Sequence, residues 1–178
     1  MSVRKLEERA REEGPLIALA EWARQRGQPV PSTIAGNSMH ATMPAGTEIL
    51  IDLDDRHYIK GRVVAALSGS TVIAHRLIGR GRGPRARHYW LMRGDSLLIP
   101  DPPVHIDVLL GAVLVKKNDV VTEPPPMPRR SMTARLAART LAALIALALE
   151  IDVRLARALT RALATARGRL QGGGERRS

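Results

Sequence analysis

A serine in a glycine-containing turn is the first feature of this chain that could do chemistry. Ser38 lies in the segment Ala35–Asp52, AGNSMHATMPAGTEILID, directly before an apolar run. Such a turn can expose a hydroxyl and point backbone N–H groups at a substrate carbonyl, which an oxyanion hole requires. A serine hydroxyl is a weak nucleophile on its own and needs a base within hydrogen-bond reach. The alternative for Ser38 is a structural role in the turn or as a helix cap, since Ser is common beside Gly and Asn in turns.

A histidine and two aspartates could complete a catalytic group. His75, in TVIAHRLIG, is a polar residue inside an apolar run, and a buried polar group needs a bonded partner. It is either a base for Ser38 or a histidine bonded to a backbone carbonyl. Asp95 and Asp101, in RGDSLLIPDPP, follow the next apolar run and could orient the imidazole, although an acid before Pro-Pro often only caps a turn. His40 is a rival base because it lies two residues after Ser38.

Composition excludes several other chemistries. The chain has no Cys, so disulfides, a thiolate zinc site and a cysteine nucleophile are excluded. His57, His88 and His105 have no mutual ligand spacing, and we therefore expect no metal and no cofactor. Lys60 stands one residue before a turn glycine and is interpreted as a solvated side chain rather than a base.

The order of these motifs resembles that of the signal peptidase I and LexA-like serine peptidase clan. The clan's nucleophile motif, a Ser-Met pair followed by a Thr and a Gly before an apolar strand, is similar to Ser38-Met39 with Thr42 and Gly46. The later motifs follow in order as Gly61-Arg62-Val63-Val64, His75-Arg76-Leu77-Ile78-Gly79 and Gly94-Asp95. The resemblance covers roughly Val30 to Val115 and implies a small antiparallel β-domain of the LexA and signal-peptidase type.

The resemblance also implies a role for each residue. Bacterial leader peptidases and LexA-type repressors use Lys as the base, whereas endoplasmic-reticulum and archaeal-type signal peptidases have His at the position of His75. Ser38 would be the nucleophile. Asp101, six residues after the Gly-Asp pair, would be the better match for the acid that holds the imidazole. Asp95 would be structural or a second supporting carboxylate. The residues bordering the oxyanion hole or substrate groove would be Asn37 and Met39, although Met is also a common core residue.

Four positions depart from the family pattern, mainly in the geometry of turns. The family's Pro three residues after the nucleophile is Ala41 here, and the acids of its first two Gly-Asp pairs are Thr47 and Arg62. Bacterial leader peptidases have a side-chain hydroxyl two residues before the nucleophile, and that position is Gly36. Only the backbone N–H of Ser38 is therefore implied as an oxyanion donor. We expect no membrane-spanning helix before Ser38, which disfavours an ordinary signal peptidase acting on translocating chains.

Short strands must position these residues. Between Thr47 and Val115 the apolar runs EILID, RVVAAL, TVIAHRLI, HYWLM and DVLLGAVLV are separated by Gly, Asp, Pro and Ser, which is typical of a compact β-domain. The predicted fold is mainly β, with an N-terminal helix and a long C-terminal amphipathic helix. The predicted parts are a helical segment 1–29, a peptidase-like β-domain 30–117, a Pro-rich linker 118–131, a basic amphipathic helix 132–170 and a flexible tail 171–178.

The C-terminal region carries most of the charge. Arg129–Ser178 holds +8 of the net +11. An apolar stripe at spacings of three and four is formed by Leu141, Leu144, Ala148, Ile151, Leu155 and Ala158. The helix could pack on the core, bind a protein partner or another copy, or contact an anionic membrane surface. Glu150 and Asp152 oppose deep insertion into a bilayer.

The basic charge does not by itself predict nucleic-acid binding. The segment GRGRGPRAR (Gly79–Arg87) lacks interleaved aromatic residues and is interpreted as a solvated hairpin loop, so no nucleic-acid partner is expected. The hydrophobic content of 44% is enough for a core, and no window offers the roughly 18 uncharged apolar residues of a membrane span. We expect a cytoplasmic protein, with peripheral membrane or protein contact through residues 132–170 as the alternative.

These residues favour a serine endopeptidase that cleaves a leader, signal or precursor peptide through Ser38, His75 and Asp101. The resemblance implies that the substrate adds as an extended strand, with small side chains just before the cut. One alternative is a LexA-type regulator that cleaves itself and binds DNA, for which the roughly 30 residues before the core are too few. Another is a catalytically silent module that docks through its basic C-terminal helix.

Overall fold

Short antiparallel strands make up most of the molecule. The computed structural model describes residues 25–68, 71–84, 87–129 and 131–172, and within these ranges eight strands join one sheet. The strands are β1 (Val30–Thr33), β2 (Glu48–Asp52), β3 (Val63–Ser68), β4 (Thr71–Arg82), β5 (His88–Arg93), β6 (Val104–His105), β7 (Leu109–Lys117) and β8 (Val120–Thr122). A short 3₁₀ turn, Ile106–Val108, connects β6 to β7.

The sheet order brings the strand that carries His75 into the interior of the sheet. The order is β1-β2-β7-β3-β4-β5-β6, with β8 added beside β7, and every described pair is antiparallel. His75 lies in β4, between β3 and β5, and is opposite Val64 of β3. The predicted small, mainly β and antiparallel domain is confirmed at this level of description.

Consecutive residues of β3 fill two separate cores. Val63 and Ala65 belong to one buried cluster, and Val64 and Ala66 belong to another. Side chains alternate between the two faces of a strand, so a run without polar residues is buried on both faces. The first cluster also contains Met39, which follows Ser38 directly. The core therefore anchors the turn that holds the predicted nucleophile.

The C-terminal region forms two helices, α1 (Met132–Ile151) and α2 (Val153–Gly172), so the prediction of one long helix over 132–170 is wrong. Asp152 separates them with an extended backbone, at φ −157° and ψ 133°. Its N–H donates to the carbonyl of Ala148 at 3.0 Å, and its carboxylate accepts the N–H of Arg154 at 2.5 Å. Asp152 thus closes α1 and caps α2, because a carboxylate can satisfy a free N–H of the first helical turn.

The face of α1 that packs on the sheet is not the predicted stripe. Ile145 and Leu149 are fully buried in a cluster with Tyr89 and Leu91 of β5. Of the six stripe positions only Ala148 is buried. The exposed large members of the stripe are Leu144, Ile151 and Leu155. Because α1 is apolar on two sides, spacing alone could not tell which side packs.

By length and composition, α1 is apolar enough to cross a membrane, the one helix of the described residues that is. The core helix of a soluble protein meets the same condition, and 22% of the apolar window is buried inside this molecule. Arg135 and Arg139 interrupt the apolar run near its start, which is why no uncharged span was found in the sequence.

A two-residue turn adds a strand inside the predicted linker. Asn118 and Asp119 have positive φ values of 49° and 61°, and they connect Lys117 of β7 to Val120 of β8. This conformation is typical of the tight turns of β-hairpins. The linker therefore begins at Glu123 rather than at residue 118.

The segment Glu123–Met127, here called the strap, is tied to the sheet. Its first residue accepts a hydrogen bond from Arg62 at 3.1 Å. The carbonyl of Pro125 accepts from Arg76 at 2.7 Å, and the sulfur of Met127 accepts from Arg93 at 3.4 Å. Three contacts at alternate residues fix the path of the chain from the sheet to α1.

The two ends of the chain fall largely outside this description. Of the helical segment predicted over 1–29, only residues 25–29 belong to the described part. Of the tail predicted over 171–178, residues 171 and 172 are described, and they continue α2. The remaining residues of both predicted segments lie outside the described ranges.

Candidate active site

The turn after β1 holds Ser38 ahead of two buried methionines, Met39 and Met43. The N–H groups of Thr42 and Met43 donate to the carbonyl of Met39, at 2.9 and 2.7 Å. Met39 and Met43 are 1% and 0% exposed and lie in the core. The apolar side chains of the turn therefore point inward, and Ser38 is left half-buried at the rim of the core.

Ser38, His75 and Asp101 lie in one chain of hydrogen bonds. The Oγ of Ser38 is 2.8 Å from Nε2 of His75, and Nδ1 of the same ring is 2.5 Å from Oδ2 of Asp101. A ring proton on Nδ1, facing the carboxylate, leaves Nε2 to accept the serine hydroxyl. The imidazole is 8% exposed and the carboxylate 17%. This arrangement can pass a serine proton to an imidazole whose charged form faces a carboxylate.

Backbone hydrogen bonds join the three segments that carry these side chains. The N–H of Asp101 donates to the carbonyl of Met92 at 2.8 Å, which fixes the loop after β5 to the end of that strand. The carbonyl of Ser38 accepts the N–H of Ser96, also at 2.8 Å. Because β4 pairs with β5 in the sheet, the turn, β4 and the loop after β5 form one connected unit.

Asp95 occupies a different place from Asp101. It is 1% exposed, and its carboxylate accepts hydrogen bonds from Nε and Nη2 of Arg76, at 2.9 and 2.7 Å. It also accepts the hydroxyl of Thr42 at 2.7 Å. The imidazole of His75 faces Asp101 instead. Asp95 therefore ties β4 to the turn of Ser38.

Three supporting residues were not assigned a role from the sequence. Arg76 is 5% exposed and anchors Asp95, and Thr42 donates to the same carboxylate. Ser96 accepts the N–H of Ala41 through its hydroxyl at 2.9 Å. Arg76 and Thr42 belong to the sequence motifs that contain His75 and Ser38, and this position was the only sequence feature that could have indicated a supporting role. Ser96 had no signal beyond its position after the Gly-Asp pair.

Gly94 allows the loop after β5 to meet the turn of Ser38. A Cβ at this position would lie 2.5 Å from the carbonyl oxygen of Ser38 and 2.9 Å from its Cβ. Such distances are far shorter than van der Waals contact, so only glycine fits without displacing the serine. The requirement explains the Gly of the Gly-Asp pair in steric terms.

Two backbone N–H groups beside the hydroxyl have no acceptor among the described residues. Within the described part of the chain, the N–H groups of Ser38 and Met39 donate to no acceptor, whereas those of His40, Ala41 and Thr42 do. Uncommitted N–H groups next to a nucleophile can stabilise the negative oxygen of a tetrahedral intermediate. The N–H of Met39 is thus uncommitted among the described residues, as is that of Ser38.

The predicted groove residues and the rival base fall in different environments. Asn37 is exposed, and its carbonyl accepts the N–H of His40 at 3.1 Å. Met39 lines the pocket beside Ser38, but it is also a core residue whose sulfur accepts the N–H of Asp95 at 3.2 Å. His40 is exposed on the turn, and Ser38 is bonded to His75 rather than to it.

An apolar pocket of about 280 Å³ opens beside Ser38 and His75. Much of its lining comes from β1, β2 and the start of β4, and includes Ile34, Ile49, Ile51, Val72 and Ala74. Among the described strands β1 pairs only with β2, so its second edge is open. A peptide could add to this edge as a further strand and place a side chain in the pocket.

Gly36, Ala41, Thr47 and Arg62 lie in different local surroundings. No atom lies within 4 Å of a Cβ built at Gly36, so the position is open. Ala41 donates its N–H to Ser96, and the hydroxyl of Thr47 donates to the carbonyl of Pro44 at 2.6 Å. Arg62 donates two hydrogen bonds to Asp55, at 2.7 and 2.5 Å. Arg62 thus has an acid as its partner.

The pair of Arg62 and Asp55 changes the ionisation of both side chains. The hydrogen bonds from the guanidinium hold the pKa of Asp55 below its ordinary value of 3.8. The same bonds raise the pKa of Arg62 above its already high value. Both groups are therefore charged at neutral pH, and the pair stabilises the segment that leads into β3.

The remaining histidines do not form a metal site in the described residues. No group of three or more potential ligands occurs there. His105 lies against Asp107, with Nδ1 2.9 Å from the carboxylate, on the surface. His88 begins β5, and His57 lies in the exposed segment before β3.

Comparison with known proteins gives no relative of this chain. No protein-family model, no curated protein and no solved structure matches it. What the molecule does is therefore inferred from the chemistry of its own side chains.

Proposed function

We propose that this protein is a serine endopeptidase that cleaves a leader, signal or other precursor peptide. The observation that carries the proposal is the hydrogen-bonded chain from the hydroxyl of Ser38 through His75 to Asp101. The resemblance to the His-containing branch of the signal peptidase and LexA-like clan names the same three residues. A small antiparallel β-domain is also the fold that this resemblance implies.

In the first half of the reaction, Ser38 Oγ attacks the carbonyl carbon of the scissile peptide bond. The hydroxyl proton moves to Nε2 of His75, and the carboxylate of Asp101 stabilises the imidazolium that results. The N–H groups of Ser38 and Met39 donate to the carbonyl oxygen as it becomes negative. The C–N bond then breaks, the leaving amine takes the proton from Nε2, and an acyl ester remains on Ser38.

In the second half, water hydrolyses the ester. His75, neutral again, takes a proton from the water, and the hydroxide formed attacks the ester carbonyl. The tetrahedral intermediate collapses, the Ser38 oxygen recovers its proton from His75, and the carboxylic acid product leaves. Every proton is returned, so the reaction needs no cofactor or metal ion.

The second edge of β1, which no described strand covers, and the pocket beside it suit an extended peptide. Ser32 and Thr33 of β1 line the pocket together with Ser38. A strand paired with β1 gains backbone hydrogen bonds that do not depend on sequence, and the pocket selects one side chain. At about 280 Å³ the pocket is at the small end of ligand sites, which favours a small apolar residue before the cut.

The test is a comparison of protein N-termini in the native host expressing the wild type, Ser38→Ala or Ser68→Ala. Ser68 is an exposed serine at the end of β3 and serves as the matched control. We expect N-termini that are present with the wild type and Ser68→Ala and reduced about a thousandfold or more with Ser38→Ala, since the nucleophile is lost. Their sequences would also give the substrate and the cleavage site.

Two outcomes would overturn this proposal. Identical N-termini in all three strains, with all three proteins folded and expressed, would favour the silent binding module. A purified protein whose own mass falls on incubation at mildly alkaline pH, while Ser38→Ala stays intact, would favour self-cleavage instead. A stable mass and Ser38-dependent host N-termini would support action on other proteins.

A further inference from the structure

The outer face of α1, defined by five large apolar side chains, is exposed to solvent. These residues are Met132, Leu136, Leu144, Leu147 and Ile151, and they are between 49% and 82% exposed. The opposite face carries Ile145 and Leu149, which are fully buried. A helix on the surface of a soluble protein normally has a polar outer side. An apolar row along a helix about 30 Å long indicates a surface that becomes covered.

A cationic pocket of about 420 Å³ lies where the first half of α1 meets the sheet and the chain after the strap. Its cations are Lys60, Arg93, Arg129, Arg135 and Arg139. The described residues that line it include no carboxylate, and Arg93 is only 6% exposed. Four of the cations, all except Arg93, form no ion pair with any residue that the structure describes. Grouped like charges repel one another, and an anion bound among them would relieve the repulsion.

The apolar face and the cationic pocket share one helix. Arg135 directly precedes Leu136, and Arg139 follows it by three residues, so both arginines lie along one edge of the outer face at its N-terminal half. The exposed side of α2 adds Arg154, Arg157 and Arg161. Apolar side chains bordered by Arg are typical of helices that lie in the interface of a membrane.

We propose that the hairpin of α1 and α2 docks this protein on the surface of an anionic phospholipid bilayer. The outer face of α1 enters the acyl region, and the phosphate of a lipid headgroup binds in the cationic pocket. The helix lies along the bilayer and does not cross it. Ile145 and Leu149 stay packed against Tyr89 and Leu91 of β5, and a membrane span would break these contacts.

Charge complementarity selects a bilayer over a second copy of the chain as the occupant of this face. An anionic bilayer surface offers an apolar layer and a dense array of phosphates together. A second copy would bring the same five cations of the pocket and, on α1, the single acid Glu150. The lipid surface therefore matches both the apolar and the charged parts of the site.

The test is co-sedimentation of the full chain with vesicles of two compositions. One is phosphatidylcholine alone, and the other is phosphatidylcholine with phosphatidylglycerol at about three to one. We expect partitioning onto the anionic vesicles to be at least about tenfold stronger, and to weaken as salt screens the charges. The Ser38→Ala protein is expected to bind equally well, so this result is independent of the proposed peptidase activity.

Two pairs of variants separate the apolar and the charged contributions. Leu136→Ser with Leu147→Ser removes apolar surface from the outer face, and Val120→Ser with Val121→Ser removes exposed apolar surface from β8 as the control. Arg135→Glu with Arg139→Glu reverses two charges of the pocket. Its control, Arg56→Glu with Lys117→Glu, reverses two exposed charges outside the pocket and the hairpin.

We expect each α1 pair to lower the partition coefficient about tenfold or more, and each control pair to change it less than about threefold. The proposal requires that the apolar pair and the charged pair of α1 each weaken binding more than the matching control pair does. Absence of binding to anionic vesicles, equal binding to both vesicle types, or equal effects of the α1 and control pairs would overturn the proposal. A dimer in solution that Leu136→Ser with Leu147→Ser dissociates, without vesicle binding, would assign the face to a second copy instead.

Discussion

Asp101 and Asp95 both follow β5, but they have different hydrogen-bond partners and therefore different roles. Asp101 faces the imidazole of His75 at 2.5 Å, and Asp95 is paired with Arg76 and Thr42. A carboxylate next to Nδ1 favours the tautomer that accepts the serine proton and stabilises the imidazolium. A carboxylate paired with an arginine holds two segments together. Loss of the Asp101 charge should therefore lower the rate of catalysis, whereas loss of the Asp95 charge should lower the stability of the fold.

We predict that Asp101→Asn lowers kcat/KM for a cleaved peptide by about a thousandfold or more, because the amide can stabilise the wrong tautomer. The control is Asp107→Asn, which alters another His-Asp pair, that of His105, on the surface. Circular dichroism should show both proteins folded. A rate within about threefold of the wild type for Asp101→Asn would remove Asp101 from the catalytic group.

Acid should weaken the molecule partly through Asp55. The pKa of Asp55 in the folded protein is below its ordinary value of 3.8 because Arg62 donates hydrogen bonds to the carboxylate. The ionised carboxylate therefore stabilises the folded protein above pH 3.8, and this contribution is lost as the pH falls through the folded pKa. We predict that Asp55→Asn lowers the free energy of unfolding at neutral pH, and that its difference from the wild type shrinks below about pH 4. Urea unfolding over a pH series measures this. Asp54→Asn, at the exposed neighbouring position, is the control, and an equal pH dependence of the two variants would contradict the prediction.

The three residues of the hydrogen-bonded chain could be selected from the sequence, but the contacts that support them could not. Ser38, His75 and Asp101 stand in motifs whose order resembles a known clan. The contacts of Thr42 with Asp95 and of Ala41 with Ser96 join residues 53 and 55 positions apart. Such contacts depend on the path of the loop after β5, which no local pattern determines.

At the scale of the elements, the close approach of two loops depends on Gly94. We predict that Gly94→Ala lowers the free energy of unfolding by about 1–3 kcal/mol and also lowers the cleavage rate, because the added Cβ meets the carbonyl of Ser38. Gly79→Ala is the control, since its Cβ would lie 3.9 Å from Leu91, an ordinary contact. Chemical unfolding and a rate measurement test both effects. If Gly94→Ala and Gly79→Ala had equal stability and equal cleavage rates, the close contact between Gly94 and Ser38 would not be needed for either property.

The longer elements were predictable and the shorter ones were not. The runs EILID, RVVAAL, TVIAHRLI, HYWLM and DVLLGAVLV all contain strands of the sheet, because apolar and β-branched residues are bounded there by turn residues. β1 was missed because it has four residues and contains Pro31, and β6 because it has only two. The break between α1 and α2 depends on the backbone of Asp152, whose type suits a helix cap but is also tolerated inside a helix.

In the whole molecule, the strap connects the candidate active site to the helical hairpin. Arg76 donates to Pro125 of the strap and to Asp95, which in turn holds Thr42 in the turn of Ser38. The hairpin therefore follows a segment that is bonded to the scaffold of the site. A peptidase docked through α1 would meet its substrates at the same membrane surface, with the site held by one connected set of contacts.

Among the described strands the second edge of β1 has no partner, and this bears on how copies of the protein behave when concentrated. An unpaired strand edge is a template on which identical chains can stack into aggregates. β1 has only four residues, and Pro31 supplies no N–H to a neighbouring strand. A substrate that gains its affinity from the adjoining pocket can still bind there, whereas a second copy would gain few backbone hydrogen bonds. The edge of β1 can therefore bind a peptide substrate and still be a weak site for the nucleation of fibrils.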